Sequence, residues 1–149
     1  ELSWAFSTAE TPKDAEDAER MRDDDLPELR VLTGSVIAAA MEVHRELGPG
    51  YGESVYEEAM AIELERQSLR FSRQHPFEVR YRGSVVGEGR IDFLVDERLV
   101  VELKAVEAFA PIHRTQVLAY LKSLGLQLGL LINFKVPALR AGIQRIILT

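Results

Sequence analysis

The stretch that decides the fold runs from Arg90 to Lys104 and reads Arg-Ile-Asp-Phe-Leu-Val-Asp-Glu-Arg-Leu-Val-Val-Glu-Leu-Lys. Two short apolar runs flank the charged triplet Asp-Glu-Arg, a pattern that predicts two β-strands joined by a tight turn. Three charged residues stand where a half-buried strand is ordinarily apolar, namely Asp92, Glu102 and Lys104. We therefore expect a sheet that carries a polar site at one end.

Strand geometry brings these charges to one place. Side chains alternate along a strand, so Glu102 and Lys104 share one face, and Asp92 near the end of its strand lies beside Glu102 if no bulge intervenes. Two carboxylates, the backbone carbonyl of Leu103 and water molecules form an oxygen shell that suits Mg²⁺ or Mn²⁺. The sequence thus predicts a divalent-metal site with Asp92, Glu102 and the Leu103 carbonyl as ligands.

Such a site has a defined chemistry. A bound divalent cation polarises a phosphate and lowers the pKa of its water toward neutrality, and Lys104 would orient that water or stabilise the charge that develops on the phosphate. This equipment favours hydrolysis of a phosphodiester. The alternative is that Glu102 and Lys104 form an ordinary solvated face or a cross-strand ion pair.

Two helices precede the strands. After Pro27, apolar residues recur at steps of three and four, which predicts a helix that ends at Gly48-Pro49-Gly50. These residues are Leu29, Leu32, Val36, Ala40, Val43 and Leu47. A second helix is predicted from Glu53 to about Gln67.

The remaining chain alternates strands with one helix. Phe77, Val79 and Tyr81 alternate with polar residues and precede the turn Arg82-Gly83-Ser84, which predicts a hairpin whose glycines Gly87 and Gly89 indicate a bulge or bend. The later predicted elements are a helix from Pro111 to Leu124, a buried strand from Leu126 to Phe134 and a last strand from Ile143 to Leu148. The order ααβββαββ predicts an α/β fold, a mixed β-sheet flanked by α-helices.

Further candidate site residues lie on the helices. Glu53 follows a glycine-rich segment and would project over the sheet as a further metal ligand, or it is simply an acid favoured by the helix dipole. Tyr56 lies one turn later and would bond a phosphate or Glu53. Gln116 and Tyr120 are four residues apart and would contact nucleic acid, unless they only form a polar helix face.

Charge divides the chain into two parts. The net charge is -6, and residues 1–26, with nine acids and three bases, account for all of it. We interpret 1–26 as an acidic, flexible N-terminal extension, or as a segment that docks Trp4 and Phe6 on a neighbouring subunit, and 27–149 as one folded domain. With no cysteine, no secretory signal pattern and no apolar run long enough for a membrane span, a cytoplasmic protein is expected.

Several of these segments together resemble one known family. The signature Gly50-x-x-Glu53-x-x-Tyr56 is similar to the one that names the GxxExxY proteins, a branch of the PD-(D/E)XK nuclease superfamily. The resemblance covers about 29–148 and includes the segments His44 to Gly50, Tyr56 to Ala59, Arg90 to Asp92, Glu102 to Ala105, Gln116 to Leu121 and Gly129 to Phe134.

The resemblance implies a restriction-endonuclease-like core with metal held at the split edge of the sheet. It implies that Asp92 and Glu102 are metal ligands, that Lys104 is the catalytic lysine, and that Glu53 is the acid of the first helices. Gln116 and Tyr120 correspond to the accessory Gln-x-x-x-Tyr element of RecB-like nucleases. The implied activity is cleavage of nucleic acid, DNA before RNA, with Mg²⁺ or Mn²⁺ as cofactor.

A rival hypothesis keeps the scaffold without the chemistry. The apolar strand near the C-terminus would leave an open sheet edge, and together with the N-terminal extension it would support a homo-oligomer or a longer assembly. The sequence therefore predicts either a metal-dependent nuclease or a self-assembling structural module, and these two are not exclusive.

Overall fold

The computed structural model describes residues 27–149, and the predicted N-terminal extension, residues 1–26, lies outside the described residues. The described chain forms three α-helices, five strands and one short 3₁₀-helix. The helices are α1 (Pro27–Leu47), α2 (Glu53–Arg66) and α3 (Pro111–Leu124). The strands are β1 (Phe71–Tyr81), β2 (Ser84–Val95), β3 (Leu99–Lys104), β4 (Leu128–Asn133) and β5 (Ile143–Ile147), with the 3₁₀-helix (Leu139–Gly142) before β5.

The strands form one mixed sheet in the order β1-β2-β3-β4-β5. β3 and β4 run parallel, and the other neighbouring pairs are antiparallel. A parallel pair needs a crossover connection, and α3 lies in the segment that joins β3 to β4. The predicted α/β fold with a mixed sheet flanked by helices is confirmed, and its element order is the predicted one.

Helices cover both faces of the sheet. α1 and α2 pack on one face against a core that includes Phe93, Val101 and Leu130, and α3 packs on the other against a second core that includes Val100 and Leu131. β4 is buried along its whole length, as its near-continuous apolar sequence predicts. No helix among the residues described is long and apolar enough to cross a lipid bilayer.

The hairpin of β1 and β2 follows the turn chemistry of its sequence. Arg82 and Gly83 both have positive φ, 51° and 84°, which is the geometry of a type I′ turn. The pairing shifts between Val79, opposite Gly87, and Arg80, opposite Val85, so β2 carries one extra residue there. The predicted bulge is thus confirmed beside Gly87.

Gly89 serves the hairpin in another way. A Cβ atom at this position would lie 2.5 Å from the ring of Phe77, so the absence of a side chain makes room for that ring. The ring of Phe77 in turn lies 5.0 Å from that of Tyr120 on α3. The base of the hairpin is therefore held against α3 through an aromatic contact.

Candidate metal and nucleic-acid site

β2 and β3 separate at the predicted site. Their antiparallel pairing covers only three residue pairs and ends at Phe93 opposite Val101. At the next position side chains replace the backbone ladder: the Asp92 N–H donates to Glu102 Oε1 at 2.7 Å, and the Leu103 N–H donates to Asp92 Oδ2 at 2.8 Å. The structure thus brings Asp92 and Glu102 together, and each carboxylate is held by the other strand.

This arrangement leaves a set of oxygens for a cation. Among residues 27–149, no hydrogen-bond donor contacts the second oxygen of Glu102, and Oδ1 of Asp92 accepts only a long 3.3 Å contact from Gln74. In a strand, the N–H and C=O of one residue point to the same side, so the Leu103 carbonyl points toward Asp92 as its N–H does. Each of the two carboxylates therefore keeps one oxygen without a close donor among the described residues, and the Leu103 carbonyl lies on the side of β3 that faces β2.

The donor set fits Mg²⁺ better than a cation that needs a full protein cage. In the described part of the chain, no three acidic or histidine side chains are close enough together to hold a metal ion by themselves. Mg²⁺ is commonly bound by one or two carboxylates and keeps several waters. Two carboxylates and one carbonyl at the end of a strand pair agree with that coordination preference, and Mn²⁺ is the nearest substitute.

Burial makes the two carboxyls costly to ionise without a cation. Glu102 is only 7% exposed, and desolvation, together with the charge of Asp92, raises its pKa to about 8. Desolvation also raises the pKa of Asp92, against the hydrogen bond from Leu103. The nearby negative charge and the loss of hydrating water both raise the carboxyl pKa, and a bound divalent cation would oppose both effects.

Lys104 lies at the end of β3, two residues after Glu102. It ends β3 half-buried, and its carbonyl accepts the N–H of Phe134 at 2.9 Å. Its charge is near enough to lower the pKa of Glu53, Asp92 and Glu102, although within 27–149 no carboxylate lies within 4.0 Å of its amine. The amine is thus beside the carboxylates and is not tied into an ion pair with one of them.

Glu53 approaches the site from the helix layer. It is the first residue of α2 and is exposed. Partial desolvation raises its pKa, the charges of Asp92 and Glu57 act in the same direction, and Lys104 acts against them. The prediction that Glu53 projects toward the sheet site agrees with this position, although Glu53 does not form a compact three-carboxylate cluster with Asp92 and Glu102.

Tyr56 has a different role from the predicted one. Its side chain is 0% exposed and its ring stacks on Phe134 with centroids 4.4 Å apart. Its hydroxyl donates to the Gly48 carbonyl and accepts the Tyr51 N–H at 3.1 Å. The predicted bond of Tyr56 to a phosphate or Glu53 is therefore corrected: a buried and fully engaged hydroxyl holds the loop that leads into α2.

The contacts of this loop account for the Glu-x-x-Tyr part of the Gly-x-x-Glu-x-x-Tyr signature. Gly48 ends α1 with φ of 72°, a left-handed conformation that favours glycine. The hydroxyl of Tyr56 bridges Gly48 and Tyr51, and α2 begins two residues after Tyr51. The tyrosine thereby fixes where the helix starts, and the helix start sets the direction of Glu53.

The sequence analysis did not identify two residues of the site, Glu57 and Gln74. Glu57 lies one helical turn after Glu53 and accepts hydrogen bonds from Arg73 at 2.7 Å and from Gln74 at 3.0 Å. Gln74 also donates to Asp92. The four-residue step from Glu53 is a signal that places Glu57 on the same helix face. Nothing in the local sequence of Gln74 singles it out.

Gln74 lies opposite the point at which the side chains of β2 change the face of the sheet to which they point. Ile91 belongs to the core on the α3 side, whereas Phe93, two residues later, belongs to the core under α1 and α2. Residues two apart on a regular strand share a face, so the alternation is interrupted at Asp92. On β1 the facing residue is Gln74, with φ of 52°, and its carbonyl accepts a bond from Arg90 at 2.9 Å. A strained residue therefore faces the metal-ligand candidate.

Gln116 and Tyr120 lie on the half-buried side of α3. Burial raises the pKa of the Tyr120 hydroxyl, and the charges of Glu102 and Asp92 add to the effect. Tyr120 is thus close to both carboxylates, and Gln116 lies one turn earlier on the same helix. This position supports their predicted place beside the site rather than on a remote face.

The described residues thus form an α/β domain in which one buried carboxylate, Glu102, and one half-buried carboxylate, Asp92, lie beside a lysine where two strands of the sheet separate. A family model described as the PD-(D/E)XK nuclease superfamily matches residues 30–146, and the chain belongs to that superfamily. No curated protein and no solved structure matches the chain closely enough to narrow this assignment.

The raised pKa of Glu102 makes a prediction about stability. Since its pKa in the folded state, about 8, lies above the ordinary 4.5, this carboxyl favours folding fully below about pH 4.5, and the contribution is lost as the pH rises through about 8. We expect the free energy of unfolding of Glu102→Gln, measured in EDTA at pH 9, to exceed that of the wild type by at least about 1 kcal/mol, because each pKa unit corresponds to about 1.4 kcal/mol. Urea unfolding at pH 5 and 9 measures this.

A matched control for that variant is Glu88→Gln, since Glu88 is an exposed acid on β2. It should change stability by less than about 0.5 kcal/mol at either pH. Equal stability of wild type and Glu102→Gln at pH 9 would contradict a buried, uncompensated carboxylate at this position.

The strain at Gln74 makes a second prediction. Gln74→Gly removes both side-chain bonds but suits a positive φ, whereas Gln74→Ala removes the bonds and keeps the strain, so the alanine variant should be less stable by about 1 kcal/mol. Because the Gln74 bond lowers the pKa of Asp92, both variants should raise that pKa further, which carboxyl carbon NMR measures. Arg82→Gly, at another positive φ, is the control that leaves Asp92 unchanged.

Proposed function

We propose that this protein is a metal-dependent nuclease that hydrolyses phosphodiester bonds of nucleic acid, with DNA as the substrate. The observation that carries the proposal is the pair of hydrogen bonds across the split between β2 and β3, from the Asp92 N–H to Glu102 and from the Leu103 N–H to Asp92, with Lys104 nearby. Membership of the PD-(D/E)XK nuclease superfamily supports the reaction class. Superfamily membership alone does not carry it, because one fold serves many functions.

The proposed cofactor is Mg²⁺, with Mn²⁺ as a substitute, held by Asp92, Glu102 and the Leu103 carbonyl. When bound, the cation supplies charge for the phosphate and acidifies a water. Glu102 and Asp92 stay ionised in the presence of that charge despite their burial. Glu53, exposed at the start of α2, holds a water of this shell or a second cation.

Lys104 has the electrostatic role in this proposal. Its amine orients the attacking water and donates to the phosphate oxygen on which negative charge develops. In this proposal the useful property of Lys104 is its positive charge rather than proton abstraction. The absence of an ion pair between this amine and any described carboxylate leaves it available for a substrate.

Gln116 and Tyr120 are proposed to bind the nucleic acid next to the scissile bond. Tyr120 lies between the hairpin, through its contact with Phe77, and the two carboxylates. The hydroxyl and the amide are groups that contact phosphates and base edges in nucleic-acid complexes. Tyr56, which is buried in the loop before α2, takes no part in this binding.

Two finer assignments complete the proposal. We place the chain in the GxxExxY branch of the superfamily, since Gly50, Glu53 and Tyr56 match its signature and the hydroxyl of Tyr56 holds the loop before the helix that carries Glu53. We place the protein in the cytoplasm, where a chain without cysteines has no need of an oxidising compartment.

A cleavage assay tests the nuclease proposal. Single- and double-stranded DNA and RNA are incubated with the protein and Mg²⁺ or Mn²⁺, and Lys104→Ala should cut at least about 100-fold more slowly than the wild type. Lys135→Ala is the matched control, because Lys135 is a partly exposed lysine paired with Glu107 at 2.9 Å. Cleavage that survives EDTA, or that is equal in wild type and Lys104→Ala on every substrate, would refute the proposal.

A structural role through self-association is the second candidate. β5 pairs with β4 alone among the described strands, so no strand within residues 27–149 occupies its outer edge, where a strand of another copy would pair. A homo-oligomer formed through this edge or through residues 1–26 should appear in light scattering of the full chain and change when 1–26 are deleted. A monomer at every concentration in both forms would exclude this candidate.

A further inference from the structure

The β1–β2 hairpin extends well past the site. β2 pairs with β3 only from Phe93 to Val95, so the pairs from His75 opposite Ile91 to Tyr81 opposite Ser84 lie beyond the last position shared with β3. We call residues 75–91 the hairpin arm and residues 79–87 its tip. The arm begins where Asp92 and Glu102 meet, so the site and the tip are connected by one continuous strand.

The tip is basic, aromatic and apolar at once. Residues 79–87 contain Arg80 and Arg82 and no acidic residue. Tyr81, Val85 and Val86 are among the exposed large hydrophobic residues, at 61%, 44% and 62% exposure. The domain as a whole is neutral from residue 27 onward, whereas the tip itself carries two arginines and no acid; Glu78 and Glu88 flank it, and Glu78 forms an ion pair with Arg80 at 2.7 Å. This composition suits a polyanion that also offers flat apolar surfaces.

The side chains of the tip contact one another and the turn. The guanidinium of Arg82 lies 5.4 Å from the ring centre of Tyr81 and donates to its hydroxyl at 3.1 Å. Arg80 donates to Glu78 and to the carbonyl of Gly83, which ties it to the turn. Arg82 lies over the ring of Tyr81, and Tyr81 is nevertheless 61% exposed, so it offers surface on which a base or sugar can stack.

The bulge argues against a second copy of the chain as the occupant. β2 carries its extra residue between Val85 and Gly87, which breaks the regular edge that strand pairing between copies requires. Two tips in contact would also bring four arginines together, and like charges face to face are unfavourable. Nucleic acid has neither difficulty, because its phosphates attract the arginines.

The strand sets the distance between the site and the tip. About eight residues separate Asp92 from Ser84, and at about 3.3 Å per residue this is roughly 25 Å. A nucleic-acid strand advances about 3.4 Å per nucleotide, so the tip lies about seven nucleotides from the proposed metal site.

We propose that the hairpin tip is a nucleic-acid contact, in which Arg80 and Arg82 bind phosphates and Tyr81 stacks on a base or sugar about seven nucleotides from the cleaved bond. The position relative to the cleaved bond rests on the proposed nuclease function. The binding itself does not, since it needs neither the cation nor the reaction.

Fluorescence anisotropy in EDTA tests the contact. Labelled 24-nucleotide DNA, single-stranded and as a duplex, is titrated with full-length protein at several salt concentrations. For the duplex, replacing both Arg80 and Arg82 by alanine should weaken binding about tenfold and reduce the slope of log K against log salt by about 1.8, since each phosphate contact contributes about 0.9. The double variant Arg45→Ala with Arg66→Ala removes equal charge from α1 and α2 and should leave the slope unchanged.

Tyr81→Ala is the independent arm of the experiment. It should weaken binding to the single strand at least about fivefold and leave the salt slope unchanged, because stacking releases no counterions. An unchanged slope for the arginine variant, together with unchanged affinity for Tyr81→Ala, overturns the proposal. A concentration-dependent dimer that Val86→Arg abolishes overturns it in favour of a second copy as the occupant.

Failure of the contact and failure of the nuclease proposal give different results. Binding that depends on the tip, without metal-dependent cleavage, would support the proposed nucleic-acid contact and refute the proposed nuclease function. Cleavage that depends on Lys104 but is accompanied by tip-independent binding would retain the enzyme and refute the contact.

Discussion

The site depends on two hydrogen bonds in which carboxylate side chains take the place of backbone carbonyls, at the position where β2 and β3 separate. Asp92 accepts an N–H from β3, and Glu102 accepts an N–H from β2, at the position where the next ladder pair would form. Each carboxylate satisfies a backbone group that burial would otherwise leave unpaired, which would cost about 1–3 kcal/mol. The same bonds fix both carboxylates in direction, so the strand edge is capped and the ligands are oriented by one set of contacts.

Burial of these carboxylates opposes the stability of the domain. Desolvation and mutual repulsion raise the pKa of Glu102 to about 8, so near neutral pH the metal-free site favours a protonated carboxyl. An apolar pair at the end of these strands would remove that conflict. Retention of two acids in a half-apolar sheet is the kind of local cost that proteins tolerate at functional positions, and the left-handed Gln74 opposite Asp92 is a second instance.

The helices mainly position the residues of the site and supply few candidate ligands themselves. Tyr56 ties the loop before α2 to Gly48 and Tyr51, which aims Glu53 toward the sheet, while Glu57, one turn later, holds Gln74 beside Asp92. On the other face, Tyr120 links the hairpin base to the carboxylates. Elements from both layers thus converge on the one end of the sheet where β2 and β3 part, and the hairpin arm extends from that point.

The sequence by itself determined the element order, the hairpin turn at Arg82-Gly83-Ser84 and the buried β4, because periodicity and turn residues are local properties. It also predicted that Asp92 lies beside Glu102, whereas the hydrogen bonds that hold each carboxylate on the other strand are decided by the tertiary structure. It did not determine the roles of Tyr56 and Gln74. Whether a tyrosine hydroxyl faces a ligand or a loop carbonyl depends on packing against Phe134, and whether a glutamine adopts a left-handed conformation beside Asp92 depends on Glu57 and Arg90, which are distant in sequence. Only tertiary contacts decide such cases, because the competing local conformations differ by about 1–2 kcal/mol.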